Sequence, residues 1–398
     1  MTAHLRVELG EGGATPYLPL AEVAPLVRRV VATDPDATYT ELGVRSFNKG
    51  TFHRRTVKGA EFTWQELYLV NTDDLVFSNI MAWEGAVALA DAADHGCIGN
   101  HRMLTCACDE TQVKPAYLAH YFKTPEGMSK LVGASTGTVA RNRTLTATAL
   151  GQMTVPVPPR DIQDCIVRHL ELLAEKTRQI EAHLDFVERD AEHLIRSYIF
   201  HPLGGRPAKR RMSELVSLRQ PDVGADGTVQ YRFAGVYSFG RGVFPSAVKM
   251  GSEFAYQRLS TVRAGDFIYP KLMAWEGALG VVPTECDGMV VSPEFPVFTV
   301  NTEAVLPEVL DIYFRTPDVW PALAEISGGT NARRLRLQPA TFLSYEMPVP
   351  NMAKQLELRA IYQHAQSLKA KHTAIRQANA ALLPATLDRL FSSSPGDT

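Results

Sequence analysis

The chain has 398 residues, 45% of them hydrophobic and 21% charged, which excludes intrinsic disorder and leaves room for two or three packed domains. No apolar run reaches the ~20 residues of a membrane span. The formal net charge of −2 gives no whole-chain attraction to nucleic acid, so such binding would have to come from local clusters. The opening stretch MTAHLRVELGEGG has no basic start followed by an apolar run. The five cysteines (Cys97, Cys106, Cys108, Cys165, Cys286) are odd in number and unevenly placed. Both features predict a cytoplasmic protein without a disulfide framework.

In chain order, residues 20–158 mix short β-type runs with Gly and Pro punctuation. Asp74-Leu75-Val76-Phe77-Ser78 reads as a buried strand after a turn, and 115–123 as a short helix with proline in its first turn. Pro156-Val157-Pro158 then leads into a helical stretch. In it Ile166, Leu170, Leu173, Thr177, Ile180, Leu184, Val187, Ala191, Leu194 and Tyr198 alternate at spacings of four and three, a heptad seam. His201-Pro202-Leu203-Gly204-Gly205 stops it.

Residues 212–350 repeat the sequence. Met81-Ala82-Trp83-Glu84-Gly85-Ala86 recurs as Met273-Ala274-Trp275-Glu276-Gly277-Ala278, an offset of 192. Without a gap, that offset also places Tyr39 on Tyr231, Gly43 on Gly235, Phe52 on Phe244, Asp74 on Asp266, Tyr121 on Tyr313 and Gln163 on Gln355. A single frame held this long means two copies of one domain. Gly265-Asp266-Phe267-Ile268-Tyr269 is the second strand, 307–315 the second short helix, and Pro348-Val349-Pro350 the second lead-in to a long helix. There Ile361, Ala365, Leu368, His372, Ile375, Asn379 and Leu382 keep the seam with more polar interruptions.

The expected fold is α+β: two pseudo-symmetric mixed α/β domains separated by two long helices packed as an antiparallel coiled coil. The boundaries read 1–158, helix 159–203, 204–350, helix 351–392 and a disordered tail 393–398. The alternative is that each helix caps only its own domain. A helix of ~35 residues is roughly 50 Å long, so a helix pair could act as a ruler between two heads, about one and a half turns of duplex.

No GxxxxGK[ST] loop and no Asn-Pro-Pro-Tyr motif is present. Phe239-Gly240-Arg241-Gly242 faintly resembles a glycine-rich cofactor turn, but its counterpart Phe47-Asn48-Lys49-Gly50 lacks the first glycine. His95, Cys97, His101, Cys106 and Cys108 imitate a zinc cluster without a common spacing, and alternate with apolar residues as buried strand cysteines do. Neither catalysis, a bound cofactor nor a metal is therefore expected.

A polar and basic decoration recurs on the same frame. Arg45, Lys49, His53, Arg54, Arg55 and Lys58 cluster in the first copy, with Arg241 and Lys249 in the second. This reads either as nucleic-acid contact or as a solvated strand–turn face. Ser135, Thr136, Thr138, Arg141 and Arg143, matched by Thr330, Asn331, Arg333, Arg334 and Arg336, suit phosphate oxygens, or form a surface loop. Met-Ala-Trp-Glu-Gly-Ala reads as a structural corner with a buried Trp. Just upstream, Ser78 and Asn79 become Pro270 and Lys271, the kind of change two heads reading different bases would need. Asn can pair with adenine and Lys with guanine.

These residues resemble the specificity subunit of Type I restriction–modification systems, over nearly the whole chain and twice in order. Asp74-Leu75-Val76 and Gly265-Asp266-Phe267-Ile268 look like the family's "GDLV" strand. The Ser-x-Gly-Thr loop followed by arginine looks like its DNA-facing loop. Pro156-Val157-Pro158-Pro159 with Gln163, and Pro348-Val349-Pro350 with Gln355, look like the lead-in to its conserved helices. Departures are Asp73 in place of glycine, Asn351 in place of the second proline, and Asn100-His101-Arg102 where the second copy has Ser292-Pro293-Glu294. The resemblance implies two target-recognition domains, each reading half of a split target in double-stranded DNA. It implies helices that set the gap and dock two methyltransferase subunits. S-adenosylmethionine would then lie on those partners, and ATP with Mg on restriction subunits where two of these join, as in phage defence. The alternative is a scaffold or decoy that binds methyltransferase without reading DNA.

Overall fold

The computed structural model describes residues 15–62, 66–137, 142–200, 205, 207–329 and 335–391. Contacts divide the chain into two compact units, Met1–Glu181 with Ile375–Thr398, and Ala182–Ala374. Each is an α+β body with a portion of both long helices, Arg160–Phe200 and Met352–Phe391.

The repeat holds at the level of strand register. In the first unit Tyr17 faces Pro156, Leu26 faces Cys106, and Leu75 faces both Leu89 and Cys106. In the second, Lys209 faces Pro348, Leu218 faces Phe298, and Phe267 faces Val281 and Phe298. Among the described residues the first unit's strands form two four-stranded sheets and two two-stranded ones. One four-stranded sheet carries the hairpin Thr38–Val44/Thr51–Lys58, and its counterpart Gln230–Tyr237/Gly242–Met250 lies in a five-stranded sheet of the second unit. Both hairpins have a bulge at the same place, between Thr40 and Leu42 and between Arg232 and Ala234. Each also sets a glycine beneath a cross-strand ring. A Cβ on Gly43 would lie 2.5 Å from Phe52, and one on Gly235 2.8 Å from Phe244.

The predicted strands and short helices are present as Leu75–Ser78, Phe267–Ile268, Pro115–Tyr121 and Pro307–Phe314. The aspartate ahead of each strand is buried and bonded to an arginine. Arg29 meets Asp74 at 2.6 and 3.0 Å, and Arg219 meets Asp266 at 2.6 Å. Burial pushes the Asp266 carboxyl above its usual range in spite of Arg219.

The starts of the long helices explain their glutamines. Gln163 is fully buried. Its Oε1 accepts from the Lys114 N–H at 2.7 Å, and its Nε2 donates to the carbonyls of Gln112 and Pro158 at 2.9 and 2.8 Å. Gln355 repeats this with the Leu306 N–H and the carbonyls of Ala304 and Pro350. Each side chain ties the start of a long helix to the loop that begins the short helix, where backbone groups would otherwise be buried unpaired.

Within each unit the two long helices run antiparallel. In the first, Asn379 Nδ2 donates to the Thr177 carbonyl at 3.0 Å and to Glu181 at 2.8 Å, with Arg376 3.2 Å from Glu181. In the second, His372 meets Glu188 at 2.8 Å and Lys369 meets Glu192 at 2.7 Å. The buried stripe differs from the heptad expectation. Ile180 and Leu194 are 39% and 51% exposed, while Ile195 and Ile199 are buried. An α-helix turns every 3.6 residues, so a strict 3.5-residue seam slips by one position along its length. On the second helix Ile375 and Leu382 are likewise exposed, and Leu358, Ala365, His372, Asn379 and Thr386 form the buried row.

Candidate nucleic-acid interface

The hairpin tips are held in a rare conformation. Phe47 and Asn48 have φ of 61° and 55°, Phe239 and Gly240 63° and 65°, all left-handed, which strains a phenylalanine. The Met-Ala-Trp-Glu-Gly-Ala turn clamps them there. The N–H groups of Phe47 and Asn48 donate to the carbonyls of Glu84 and Gly85 at 2.7 and 3.0 Å. Those of Phe239 and Gly240 donate to Glu276 and Gly277 at 2.8 and 3.0 Å. The glycine of the turn is itself left-handed, with φ of 79° at Gly85 and 77° at Gly277. The motif is therefore a corner, as expected. Its buried side chains, however, are the alanines Ala82 and Ala86, or Ala274 and Ala278, while Trp83 and Trp275 are only half-buried.

The basic residues of the first hairpin are in different situations. Arg55 pairs with Glu41 at 3.1 and 3.2 Å. The His53 ring is 3.1 Å from the buried Asp94, which also accepts from the Thr51 hydroxyl at 2.8 Å. Arg45 donates to the Thr51 carbonyl at 2.7 Å and stacks on Phe52 at 4.9 Å, and Lys49 lies 5.9 Å from the Phe47 ring. Arg54 and Lys58 are exposed. On the second hairpin Lys249 is exposed, and Arg241 donates to the Ser238 carbonyl at 3.2 Å and covers the Tyr237 ring at 4.6 Å.

A second, smaller hairpin stands beside each first one. Ser135 and Thr136 pair with Leu145 and Thr144, and Gly328 bridges Arg336. The Leu145 N–H donates to the Asn79 carbonyl at 2.8 Å, and Leu337 to Lys271 at 2.9 Å. The variable position 79/271 therefore sits at the root of the loop that carries the arginines. Thr136 is exposed, and Arg143 covers the Trp83 ring at 5.7 Å. Ser135 is buried, its hydroxyl turned from solvent, so this side chain is not placed to meet a phosphate. The Asn79 Oδ1 is also buried, without a partner among the described residues. Lys271 Nζ donates to the Pro293 carbonyl at 2.9 Å, and Arg336 pairs with Glu294 at 2.7 Å. Thr138, Arg141, Thr330, Asn331, Arg333 and Arg334 lie outside the described residues.

Sequence reasoning passed over Asn100 and Arg102 as departures from a pattern. Both border a cleft of about 370 Å³ in the first unit, together with Arg54 and Ser78. The Asn79 N–H donates to the Arg102 carbonyl at 2.8 Å, a bond invisible in linear spacing.

Among the described residues no group of three His, Cys, Asp or Glu is placed to hold a metal ion. Burial pushes the thiols of Cys106 and Cys108 up to about 12, so neither is a thiolate near neutral pH. Among the same residues no helix is long and apolar enough to cross a membrane.

No protein-family model matches the chain, and no curated protein matches it. Solved structures do. The HsdS subunit from Thermoanaerobacter tengcongensis is 17% identical with a TM-score of 0.57, over 96% of this chain and 97% of that one. A chain from a study of complex assembly and conformational transition in the type I R-M system is 16% identical with a TM-score of 0.67, over 96% and 98%. The Type-I restriction-modification system S subunit from M. genitalium is 10% identical with a TM-score of 0.47, over 98% and 99%. The duplicated α+β architecture with two long helices is thus the fold that this chain shares, end to end, with specificity subunits of Type I restriction–modification systems.

Proposed function

We propose that this chain is the DNA-reading specificity subunit of a Type I restriction–modification complex, each unit reading one half of a bipartite target in duplex DNA. The observation that carries the reading is the pair of exposed hairpins in each unit. Both copies hold them in the same register and clamp the larger one with the same Met-Ala-Trp-Glu-Gly-Ala turn, yet their outward side chains differ. A common scaffold with variable polar tips suits two heads that meet the same backbone and different bases.

In this reading the chain is not itself an enzyme. The long helices set the gap between half-sites and dock two methyltransferase subunits. S-adenosylmethionine lies on those partners, and ATP with Mg on restriction subunits where these join. The location that fits such a complex is the cytoplasm.

Titration of the full chain with duplex DNA over a range of salt tests the reading. Neutralised phosphates release counterions, so affinity falls steeply with salt. Arg333→Ala with Arg334→Ala weakens binding to every sequence and flattens that slope. An intact slope in this variant contradicts the loop's role, and salt-independent binding of the native chain favours a scaffold that does not read DNA.

A further inference from the structure

The cleft beside the first hairpin carries more polar detail than a phosphate groove requires. Arg54, Asn100 and Arg102 line it together with the apolar Phe52, Ile80 and Met103. Neither guanidinium has a hydrogen-bond or ion-pair partner among the described residues. Glu41, the acid of the same cleft, is already held by Arg55 at 3.1 and 3.2 Å. The Asn100 Oδ1 accepts the Arg102 N–H at 2.9 Å, which leaves its amide N–H₂ as a free donor.

The second unit builds the same backbone here, with the Lys271 N–H on the Glu294 carbonyl at 3.0 Å in place of Asn79 on Arg102. All three polar groups are nevertheless replaced. The matched residues are Ser246, Ser292 and Glu294, and Glu294 is closed off by Arg336 at 2.7 Å. Phosphate contacts are alike for any sequence, so two copies meeting only backbone have no reason to diverge at just these places. Base edges differ between half-sites.

We infer that this cleft is the base-reading site of the first unit and that it takes a G·C pair, with Arg54 and Arg102 donating to guanine O6 and N7 in the major groove. The inference rests on the proposed specificity-subunit role. The second unit, lacking these guanidinium groups, reads its half-site by other contacts.

The test is selection from randomised duplexes by the full chain bound to its methyltransferase subunits, followed by sequencing. The native complex is expected to fix a guanine in one half-site. Arg54→Ala and Arg102→Ala each relax that position by ~10–100-fold and leave the other half-site intact, which also shows that the variants are folded. Arg102→Gln moves the preference from guanine to adenine, as Gln pairs with adenine N6 and N7. Retention of guanine by both alanine variants overturns the inference. So does uniform weakening on all sequences with a shallower salt slope, the behaviour of phosphate contacts. A native complex that enriches no sequence contradicts the proposed function, and is seen before any variant is made.

Discussion

The outer strands Thr51–Lys58 and Gly242–Met250 have one backbone and two chemistries. The first carries His53, Arg54, Arg55 and Lys58. The second has Pro245, Ser246, Ala247 and Met250 at those positions, with Lys249 as its cation. The stems differ as well. Arg45 stacks on Phe52 in one, and the matched Tyr237 stacks on Phe244 at 3.7 Å in the other. What stays constant is the glycine beneath the ring, the bulge and the clamped left-handed tip. The comparison separates two kinds of residue: those that hold the hairpin out, and those the hairpin presents.

The contrast extends into the cores. In the second unit Asp311 accepts from Arg315 at 3.0 Å and from Tyr362 at 2.8 Å. In the first unit the matched positions are Ala119, Lys123 and Leu170, and burial lowers the Lys123 pKa with no acid in place of Asp311. His120, where the second unit has Ile312, is half-buried with its Nδ1 shielded and unpartnered among the described residues, and desolvation lowers its pKa from 6.5 to about 4. The first unit thus keeps half-buried basic side chains at positions that the second has paired or replaced.

Four sets of substitutions sharpen this comparison, with hydrogen exchange reporting on each unit. The largest effect belongs to the shared glutamines. Gln163→Ala and Gln355→Ala each strand one N–H and two carbonyls and cost ~3–5 kcal/mol in their own unit. A difference of more than a factor of two between them would break the equivalence of the two helix starts. Next comes the clamp. Gly277→Ala costs ~2–4 kcal/mol, because its Cβ would meet the Trp320 ring at 2.3 Å in a left-handed backbone. Gly85→Ala costs only ~1–2 kcal/mol, since its nearest neighbour is the Asn48 Oδ1 at 3.1 Å. Equal costs at the two glycines would show that the clamp is not packed differently in the two units.

The third effect depends on pH. The His120 pKa is depressed in the folded state, so its contribution is fully present above 6.5 and is lost as pH falls through the range from 6.5 to about 4. The first unit then loses roughly 2–3 kcal/mol that the second keeps. His120→Ile removes this acid sensitivity, and an unchanged acid limb in a denaturant titration would show the effect to lie elsewhere. The smallest is Lys123→Leu, which relieves a half-buried, desolvated cation and stabilises the first unit by ~1 kcal/mol at neutral pH. A loss of stability there would show that Lys123 is compensated in the folded unit.

The duplication was legible because the offset of 192 runs without a gap, so one aligned motif carries its neighbours with it. Strands around Asp74 and Asp266, and the proline-led helices, followed from local pattern. The helix seam was legible in outline only. Heptad counting turned Ile180, Leu194, Ile375 and Leu382 inward, whereas on the first helix a 3.6-residue turn carries the buried row off that seam, and on the second the seven-residue row through Ala365, His372 and Asn379 leaves Ile375 and Leu382 outside it. The candidate site was legible as a set of cations, but not as geometry. Nothing in the spacing shows that Arg55 is spent on Glu41, that His53 faces Asp94, or that Ser135 is buried. Asn100 and Arg102 were unreadable because the cleft they line forms only when the Arg102 carbonyl accepts the Asn79 N–H across the sheet and the Asn100 side chain holds the Arg102 N–H.

Long-read mapping of methylated adenines, in cells carrying this chain with its methyltransferase subunits, addresses the two-headed reading directly. The account predicts a split motif, two short defined half-sites around a fixed stretch of unspecified bases, with Arg102→Ala loosening only one half. A single uninterrupted motif, or a pattern of methylation indifferent to substitutions in either unit, would contradict it.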